Sequence, residues 1–290
     1  MLRKQNRPFW QTRISNNLLS RVLVKPLHLL LILTALISTG LLAACLGPSN
    51  EATSGKTRNF TLYVRDTTLK LPDGKEIYAF GYTDNPNGPA QIPGPTLTVN
   101  EGDTVNLTLV DDKDPTKTDV NKDGDGHTIH LHGLDLPSQF DGDPMTAPEQ
   151  HSVMQGEKYT YHFIANHAGT YWYHCHEGAA EHIQMGMYGA FVVLPAGDDN
   201  YAYDNTYAFD KQYTFVLSDM QSEAHAKDYD ALHNGGEEFN WSQYRPDYFF
   251  INGKVWPDTL KDPRTNIEAT IGQRVLVRLI NTGYTLHSCA

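Results

Sequence analysis

Short segments with alternating apolar and polar residues run through most of the chain from residue 60 onward. They lie at 60–65, 76–80, 96–99, 104–110, 158–164 and 188–194, and Gly, Pro, Asn and Asp separate them. A two-residue period predicts strands with one face packed inward. No strong helical period competes with it, so the predicted fold is all-β, an antiparallel β-sandwich with Greek-key connections.

One strand-turn-strand stretch of the sequence occurs twice. Residues 96–109 align with residues 266–279 at an offset of 170. The shared positions are Gly102 with Gly272, Val105 with Val275, and Leu109 with Leu279. An internal repeat of this length predicts two similar domains in tandem, the first over 60–198 and the second over 203–290.

Residues 169–176 form an aromatic and β-branched segment that ends in His174-Cys175-His176. Such a composition is typical of a buried strand. Successive side chains of a strand point to opposite faces. Cys175 is therefore expected on one face, with His174 and His176 together on the other.

The same alternation applies upstream, where His130 and His132 share a face and His127 lies opposite. Together with His182 and Met187, these residues predict two separate groups. The first is a mononuclear metal site of His127, Cys175, His182 and Met187, and the second is a histidine-only surface of His130, His132, His174 and His176. Thiolate, imidazole and a weak thioether are the ligands that select copper for electron transfer. Because Cys175 is bonded through the main chain to both of its neighbours, it also predicts an electron path between the groups.

Three motifs, H-x-x-H-x-H, H-C-H and H-x-x-x-G-M-Y-G, carry a family resemblance over residues 60–195. They resemble the first cupredoxin domain of multicopper oxidases, particularly the small two-domain kind related to copper nitrite reductases. The resemblance implies a cupredoxin-like fold, a type 1 copper that accepts single electrons, and a trinuclear cluster of type 2 and type 3 copper that reduces dioxygen to water. It also implies a homotrimer, a catalytic role for Cys175, His174 and His176, and Met187 rather than Met185 as the axial ligand.

The first 44 residues resemble an export signal. They contain basic residues, no acidic ones, and an apolar run over 27–44. Such a pattern is typical of a secretory leader. The ending Leu-Ala-Ala-Cys45 resembles a bacterial lipobox, which implies lipid attachment at Cys45 and anchoring to the outer face of a bacterial membrane. The alternative is an uncleaved transmembrane anchor, and residues 45–59 are small and polar, as a tether would be.

The chain has 23 basic and 34 acidic residues, a net charge of -11. Without the first 44 residues, 17 basic residues face 34 acidic ones. This charge disfavours nucleic acid as a partner and favours a cationic reductant or metal ion, although solubility alone explains it equally well. The three cysteines, Cys45, Cys175 and Cys289, leave no pair for a disulfide once the first is assigned to lipid and the second to copper.

The C-terminal sequence departs from the family pattern. His287 occupies the position of His127 in the repeat, and the family would then place histidine at 290 and again two residues later, whereas the chain has Ala290. We therefore expect an incomplete second domain, with residues 275–280 lacking partners. We also expect the 290-residue chain to bind type 1 copper at best and to show no dioxygen reduction alone.

Two other functions fit the same ligands. A copper nitrite reductase shares the first site but needs only three histidines for its second, so His130 and His176 favour dioxygen. An electron-transfer or copper-sequestering protein would need the first site alone. Phenols, Cu(I), Fe(II) and Mn(II) all remain as reductants. The acidic loop 111–126 begins like a calcium loop, but His130 stands where a bidentate Glu is needed, which favours a solvated loop.

Overall fold

The computed structural model describes residues 55–112, 126–146, 152–197, 199–204 and 206–288. The predicted leader, Cys45, most of the acidic loop and Cys289 lie outside these residues. Eleven strands occur in the described part of the chain. They are β1 (Thr57–Lys70), β2 (Glu76–Thr83), β3 (Gly94–Asn100), β4 (Thr104–Val110), β5 (His130–His132), β6 (Lys158–Ile164), β7 (Gly169–His174), β8 (Tyr188–Leu194), β9 (Lys211–Met220), β10 (Tyr248–Ile251) and β11 (Val275–Asn281).

Two four-stranded sheets, ordered β2-β1-β4-β6 and β3-β8-β7-β5, enclose the main core. Along β4, alternate residues are buried, as the sequence period predicted. Leu62, Leu107, Tyr161 and Phe191 are fully buried in this core. The all-β cupredoxin-like fold is thus confirmed, but the sheets are mixed rather than antiparallel, because β1 pairs in parallel with β4 and β3 with β8. Strand β1 begins at Thr57, three residues before the predicted start of the first domain and within the predicted tether.

The third sheet, β10-β9-β11, repeats the strand relations of β2-β1-β4. In the first sheet β1 pairs antiparallel with β2 and parallel with β4, and in the third sheet β9 pairs antiparallel with β10 and parallel with β11. Gly102 and Gly272 occupy the matching turns with φ of 88° and 97°. The expectation that residues 275–280 lack partners is wrong, because β11 pairs with β9 along its whole length.

Strand β8 is buried on both faces, so it does not show alternation. Phe191 and Val193 face the main core. Tyr188 and Ala190 pack instead with Val216 of β9 and Ile280 of β11. The third sheet therefore covers the outer face of the strand that follows the H-x-x-x-G-M motif.

Two α-helices lie in the described residues, α1 (Ala179–Met185) and α2 (Ser222–Asn234). The sequence predicted neither. Helix α2 packs against β2 and buries His225, whereas α1 lies between β7 and β8 in the chain and carries His182. No helix in this part of the chain is long and apolar enough to span a membrane.

Candidate metal centre

Three predicted ligands converge in the core. The ligand atoms of His127, Cys175 and His182 lie within 4.8 Å of one another, and all three residues are buried. Cys175 Sγ is 3.2 Å from His182 Nδ1. Within the described ranges this is the only group of three or more His, Cys, Asp or Glu residues that is close enough to share one ion. We call these three residues, together with Met187, the cysteine site.

Irregular backbone positions His127 and Cys175, and a glycine turn after α1 links His182 to Met187. His127 lies on an isolated bridge and exchanges two main-chain hydrogen bonds with Val153, of 3.0 and 2.8 Å. Cys175 comes directly after β7, and its N–H donates to the carbonyl of Met187 at 3.1 Å. Gly186 ends α1 with φ of 124°, and a Cβ there would lie 2.8 Å from the Phe80 carbonyl oxygen. The turn between His182 and Met187 therefore requires glycine.

The thiol of Cys175 is held in a polar but closed environment. The Thr128 N–H donates to Sγ at 3.4 Å, and Sγ contacts the Glu177 carbonyl at 3.4 Å. Burial raises the pKa of Cys175 to about 12, although the hydrogen bonds with Thr128 and Glu177 act in the opposite direction. A thiol in such a place becomes a thiolate only when a cation binds it, as metal coordination does outright.

His127 gives a direct test of whether a metal fits. Its side chain is fully buried, and neither ring nitrogen has a hydrogen-bond partner among the described residues. Burial, and then the nearby His182, hold the pKa of His127 well below its usual range, so the ring is neutral. A neutral imidazole is the form that binds metals. An unsatisfied buried nitrogen costs about 1–3 kcal/mol, and a bound ion would satisfy it. The donor set of one sulfur and two imidazoles fits copper.

Met185 and Met187 are both fully buried in the same cluster as Cys175. The main-chain hydrogen bond ties Met187 directly to Cys175. The assignment of Met187 as the fourth ligand stays a prediction.

The second predicted group also comes together. Strands β5 and β7 pair His130 with His174, and His176 follows just beyond β7. The His130 ring centroid lies 5.7, 5.1 and 5.0 Å from those of His132, His174 and His176. We call these four residues the histidine face. The parity argument therefore places the side chains correctly, although regular strand ends at His174.

Main-chain carbonyls orient two rings of the histidine face. His130 Nδ1 lies 2.6 Å from the Asp141 carbonyl oxygen, and His174 Nδ1 lies 2.8 Å from that of Cys175. A carbonyl can only accept, so each Nδ1 carries the hydrogen and each Nε2 is left to bind a metal. Burial lowers the pKa of His174 to about 3, which keeps that ring neutral too.

Several residues around both groups were not among those that the sequence motifs identified. Thr128 Oγ1 accepts from the His176 N–H at 2.9 Å, so one residue touches both groups. The Trp172 ring stacks on His174 with centroids 4.4 Å apart, and its Nε1–H donates to His132 Nδ1 at 3.1 Å. Asp143 Oδ1 lies 3.5 Å from His176 Nδ1. Parity could have found Trp172, which is two residues from His174. Asp143 could be found only from the folded structure, because it is far from His176 in the sequence.

His287, matched to His127 by the repeat, lies elsewhere. Its Nε2 is 3.5 Å from a carboxylate oxygen of Asp219, and its ring contacts Phe249 of β10. No other predicted ligand accompanies it within the described residues.

The fold and the cysteine site define a cupredoxin-type protein. Residues 87–198 match the model of the multicopper oxidase family. Copper resistance protein A of Escherichia coli is 28% identical over 196 residues, 67% of this chain and 29% of that protein. The blue copper oxidase of Nitrosomonas europaea matches with a TM-score of 0.59 and 30% identity over 79% of this chain and 62% of that one. The copper nitrite reductase of the same organism matches with a TM-score of 0.56 and 25% identity over 79% and 68%.

This chain resembles the multicopper oxidase family over residues 87–198, in agreement with the sequence motifs. It spans less than a third of the length of the first curated relatives.

Proposed function

We propose that this chain is the electron-accepting part of an extracytoplasmic multicopper oxidase. The cysteine site would hold a type 1 copper suited to accepting single electrons from a reductant, and the histidine face would hold its share of a copper cluster suited to reducing dioxygen. The observation that carries the proposal is the place of Cys175, whose side chain belongs to one group and whose two neighbours in the chain belong to the other. This arrangement suits electron transfer between two metal centres.

Copper, when bound, supplies reversible one-electron chemistry at both groups. The residues themselves do the rest. Cys175, His127 and His182 exclude water from the first centre because all three are buried. Burial of the ligands limits solvent access, and solvent access affects the reduction potential of a metal centre. The main chain from Cys175 to His174 and His176 is the shortest covalent route to the histidine face.

The overall reaction sets what the histidine face must provide. Reduction of one dioxygen to two waters consumes four electrons and four protons, so four one-electron oxidations of the reductant must precede each turnover. His130 and His174 would offer Nε2 to a metal, because their Nδ1 atoms are bonded to main-chain carbonyls. Asp143, beside His176, is a carboxylate close enough to carry protons to this face.

A copper count combined with oxygen uptake tests the proposal. The purified chain, loaded with Cu(II) and freed of excess metal, should show a blue absorption band. About one copper per chain indicates the cysteine site alone, whereas about four indicates a complete cluster as well. For protein that binds about four coppers, oxygen consumption with a phenol, Cu(I), Fe(II) or Mn(II) as donor then identifies the reductant, whereas protein with one copper is expected to consume no oxygen alone. A chain that binds no copper at the cysteine site would contradict the proposal.

The nitrite reductase similarity gives a second candidate. All four histidines of the histidine face gather together, more than the three that a single-copper nitrite site requires. This favours dioxygen as the acceptor. Nitrite-dependent oxidation of the reductant without oxygen, to the same extent as with oxygen, would reverse the choice. Copper binding with neither activity would instead support a carrier.

We further propose export with lipid attachment at Cys45, and assembly as a homotrimer in which neighbouring subunits complete the cluster. Cys45→Ala should prevent lipid attachment and leave the protein unprocessed or released from membranes. Mass spectrometry of the N-terminus checks lipid attachment, and sedimentation of the membranes checks whether the protein is released. A wild-type protein that keeps its first 44 residues and carries no lipid would contradict the anchor.

A further inference from the structure

Asp219 lies near the end of β9 and is 1% exposed, yet its carboxylate receives hydrogen bonds from several elements. The donors are Tyr244 Oη (2.6 Å), Gln184 Nε2 (3.4 Å) and Tyr284 N–H (3.2 Å) to Oδ1, and Thr285 N–H (3.0 Å) and Thr285 Oγ1 (2.5 Å) to Oδ2. His287 Nε2 is 3.5 Å from Oδ2. A buried carboxylate with this many donors is a fixed junction rather than a surface charge.

The surroundings keep Asp219 ionised. Burial alone raises the pKa of this carboxyl, but the hydrogen bonds from Thr285 and Tyr244 outweigh it and leave the pKa below its usual value. The following loop is shaped to the carboxylate. A Cβ on Gly283 would lie 2.5 Å from Oδ2, so only glycine lets residues 283–285 close around it.

Asp219 and its loop contact α1, the helix of His182, at two places. Gln184 belongs to α1 and is itself buried. Tyr284, whose N–H binds Asp219, places its hydroxyl against the carbonyls of Ala179 and Ala180 in the first turn of α1. The third sheet thus holds both ends of the helix through one carboxylate and its loop.

Helix α1 has little stability of its own. It has seven residues, and its N-cap, Gly178, provides no side-chain hydrogen bond. Isolated helices shorter than about 12 residues are marginal in water. Its conformation therefore depends on packing, which Ile183 supplies against Val216 and Ile280, and on the polar contacts with Asp219 and Tyr284.

We propose that Asp219 is a positioning residue through which the third sheet fixes α1, and with it His182 and the turn to Met187, in the geometry that binds the metal. The inference deepens the proposed function and rests on the copper site proposed there. Asp219 touches no predicted ligand of the cysteine site. It acts through Gln184 and the Tyr284 loop.

The test compares Asp219→Asn with a matched control in the full chain. Asp103→Asn is the control, because Asp103 is also buried and accepts hydrogen bonds from the Lys56 N–H, Arg58 Nε and the Asn100 N–H, but does not contact α1. In metal-free protein, amides of 178–187 should exchange hydrogen about 10- to 100-fold faster in the Asp219 variant, as expected for lost bonds to a charged group. The control should leave that segment unchanged.

Copper-loaded protein gives the second readout. Asp219→Asn should keep its copper count but shift the blue band and the Cu(II) EPR spectrum, whereas Asp103→Asn should keep the wild-type spectra. Tyr284→Phe removes only the hydroxyl contact, so it should raise hydrogen exchange at 178–187 by a smaller factor. If Asp219→Asn does not fold, the Tyr284 variant tests whether the loop holds α1.

Unchanged exchange at 178–187 in both the Asp219 and Tyr284 variants would overturn the inference. If wild-type protein gives no blue band, the proposed copper site fails, while the exchange data on metal-free protein still decide whether Asp219 holds α1.

Discussion

The cysteine site and the histidine face obey the same parity rule but are built differently. The ligands of the cysteine site are sealed inside the sandwich. The histidine face lies at β5, an edge strand, and His132 is exposed while His176 is partly exposed. One site is enclosed by this chain, and the other opens at a sheet edge where another surface can approach.

The two sites also differ in the hydrogen-bond partners that their ring nitrogens have when no metal is bound. His127 has no hydrogen-bond partner for either ring nitrogen among the described residues. Rings of the histidine face, by contrast, have carbonyl, carboxylate and indole partners. In the buried site, His127 therefore depends on the ion to satisfy its ring nitrogens, whereas the open face is arranged before the ion binds.

Cys175→Ser should have the largest effect, complete loss of the blue absorption of copper-loaded protein. An alcohol oxygen is a harder and less covalent ligand than thiolate, so the charge-transfer band disappears. The visible absorption spectrum of the oxidised, copper-loaded protein measures it. The control is Met154→Leu, which removes a partly exposed sulfur that is not a predicted ligand. An equally blue serine variant would show that Cys175 is not the ligand.

His130→Ala and His176→Ala should each spare the blue band but weaken metal binding at the histidine face. Removing an orienting partner of a ligand typically costs 10–100-fold in affinity, so loss of the ligand itself should cost at least about 100-fold. Copper titration monitored by EPR separates the two sites. His162→Ala is the control, because His162 is exposed and binds Asn106 instead. Loss of blue colour with the open face still occupied would contradict the parity argument.

Met187→Leu and Met185→Leu should differ although both residues are fully buried. Loss of the axial thioether should raise the reduction potential and shift the blue band, since the axial ligand tunes that potential. Met185→Leu conserves volume and should cost less than about 1.5 kcal/mol of stability without a spectral change. Redox titration of both variants checks this. The opposite pattern would make Met185 the ligand.

The grouping of the predicted ligands could be foreseen because the information for it is local. Alternation along a strand depends only on sequence spacing, and it separates Cys175 from His174 and His176 correctly even beyond the end of β7. The turn repeat was equally local, and Gly102 and Gly272 do adopt matching positive φ angles.

The rest depends on distant contacts. Helix α1 is too short for a helical period, and its stability comes from β9, β11 and Tyr284, which are about 100 residues away in some cases. Parallel pairing of β1 with β4 cannot be seen in either strand alone. Asp219 is one acid among 34 acidic residues until the fold brings five hydrogen bonds to it.

A substitution of His225 should have the smallest effect. It tests how burial changes the pKa of a histidine that is not a predicted metal ligand. It is buried on α2, and its Nδ1–H donates to the Tyr78 carbonyl at 2.6 Å. Burial lowers the pKa of His225 to about 4, although the bond to Tyr78 and the charge of Asp247 act in the opposite direction. Above pH 6.5 the ring is neutral in both the folded and unfolded states. As the pH falls from 6.5 toward 4, only the unfolded state binds the proton, so stability is lost by at most about 3 kcal/mol.

His225→Asn should therefore flatten the pH dependence of stability in metal-free protein. An amide keeps a donor for Tyr78 but does not titrate, so the free energy of unfolding should fall less between pH 7 and pH 4.5, by about 2 kcal/mol relative to wild type. Urea unfolding at both pH values measures it, with exposed His162→Asn as the control. If the variant and wild-type curves run parallel, burial alone does not suppress protonation of an imidazole in this protein. The neutral state of His127 would then need the neighbouring His182 as well as burial, which would narrow the difference between the cysteine site and the histidine face.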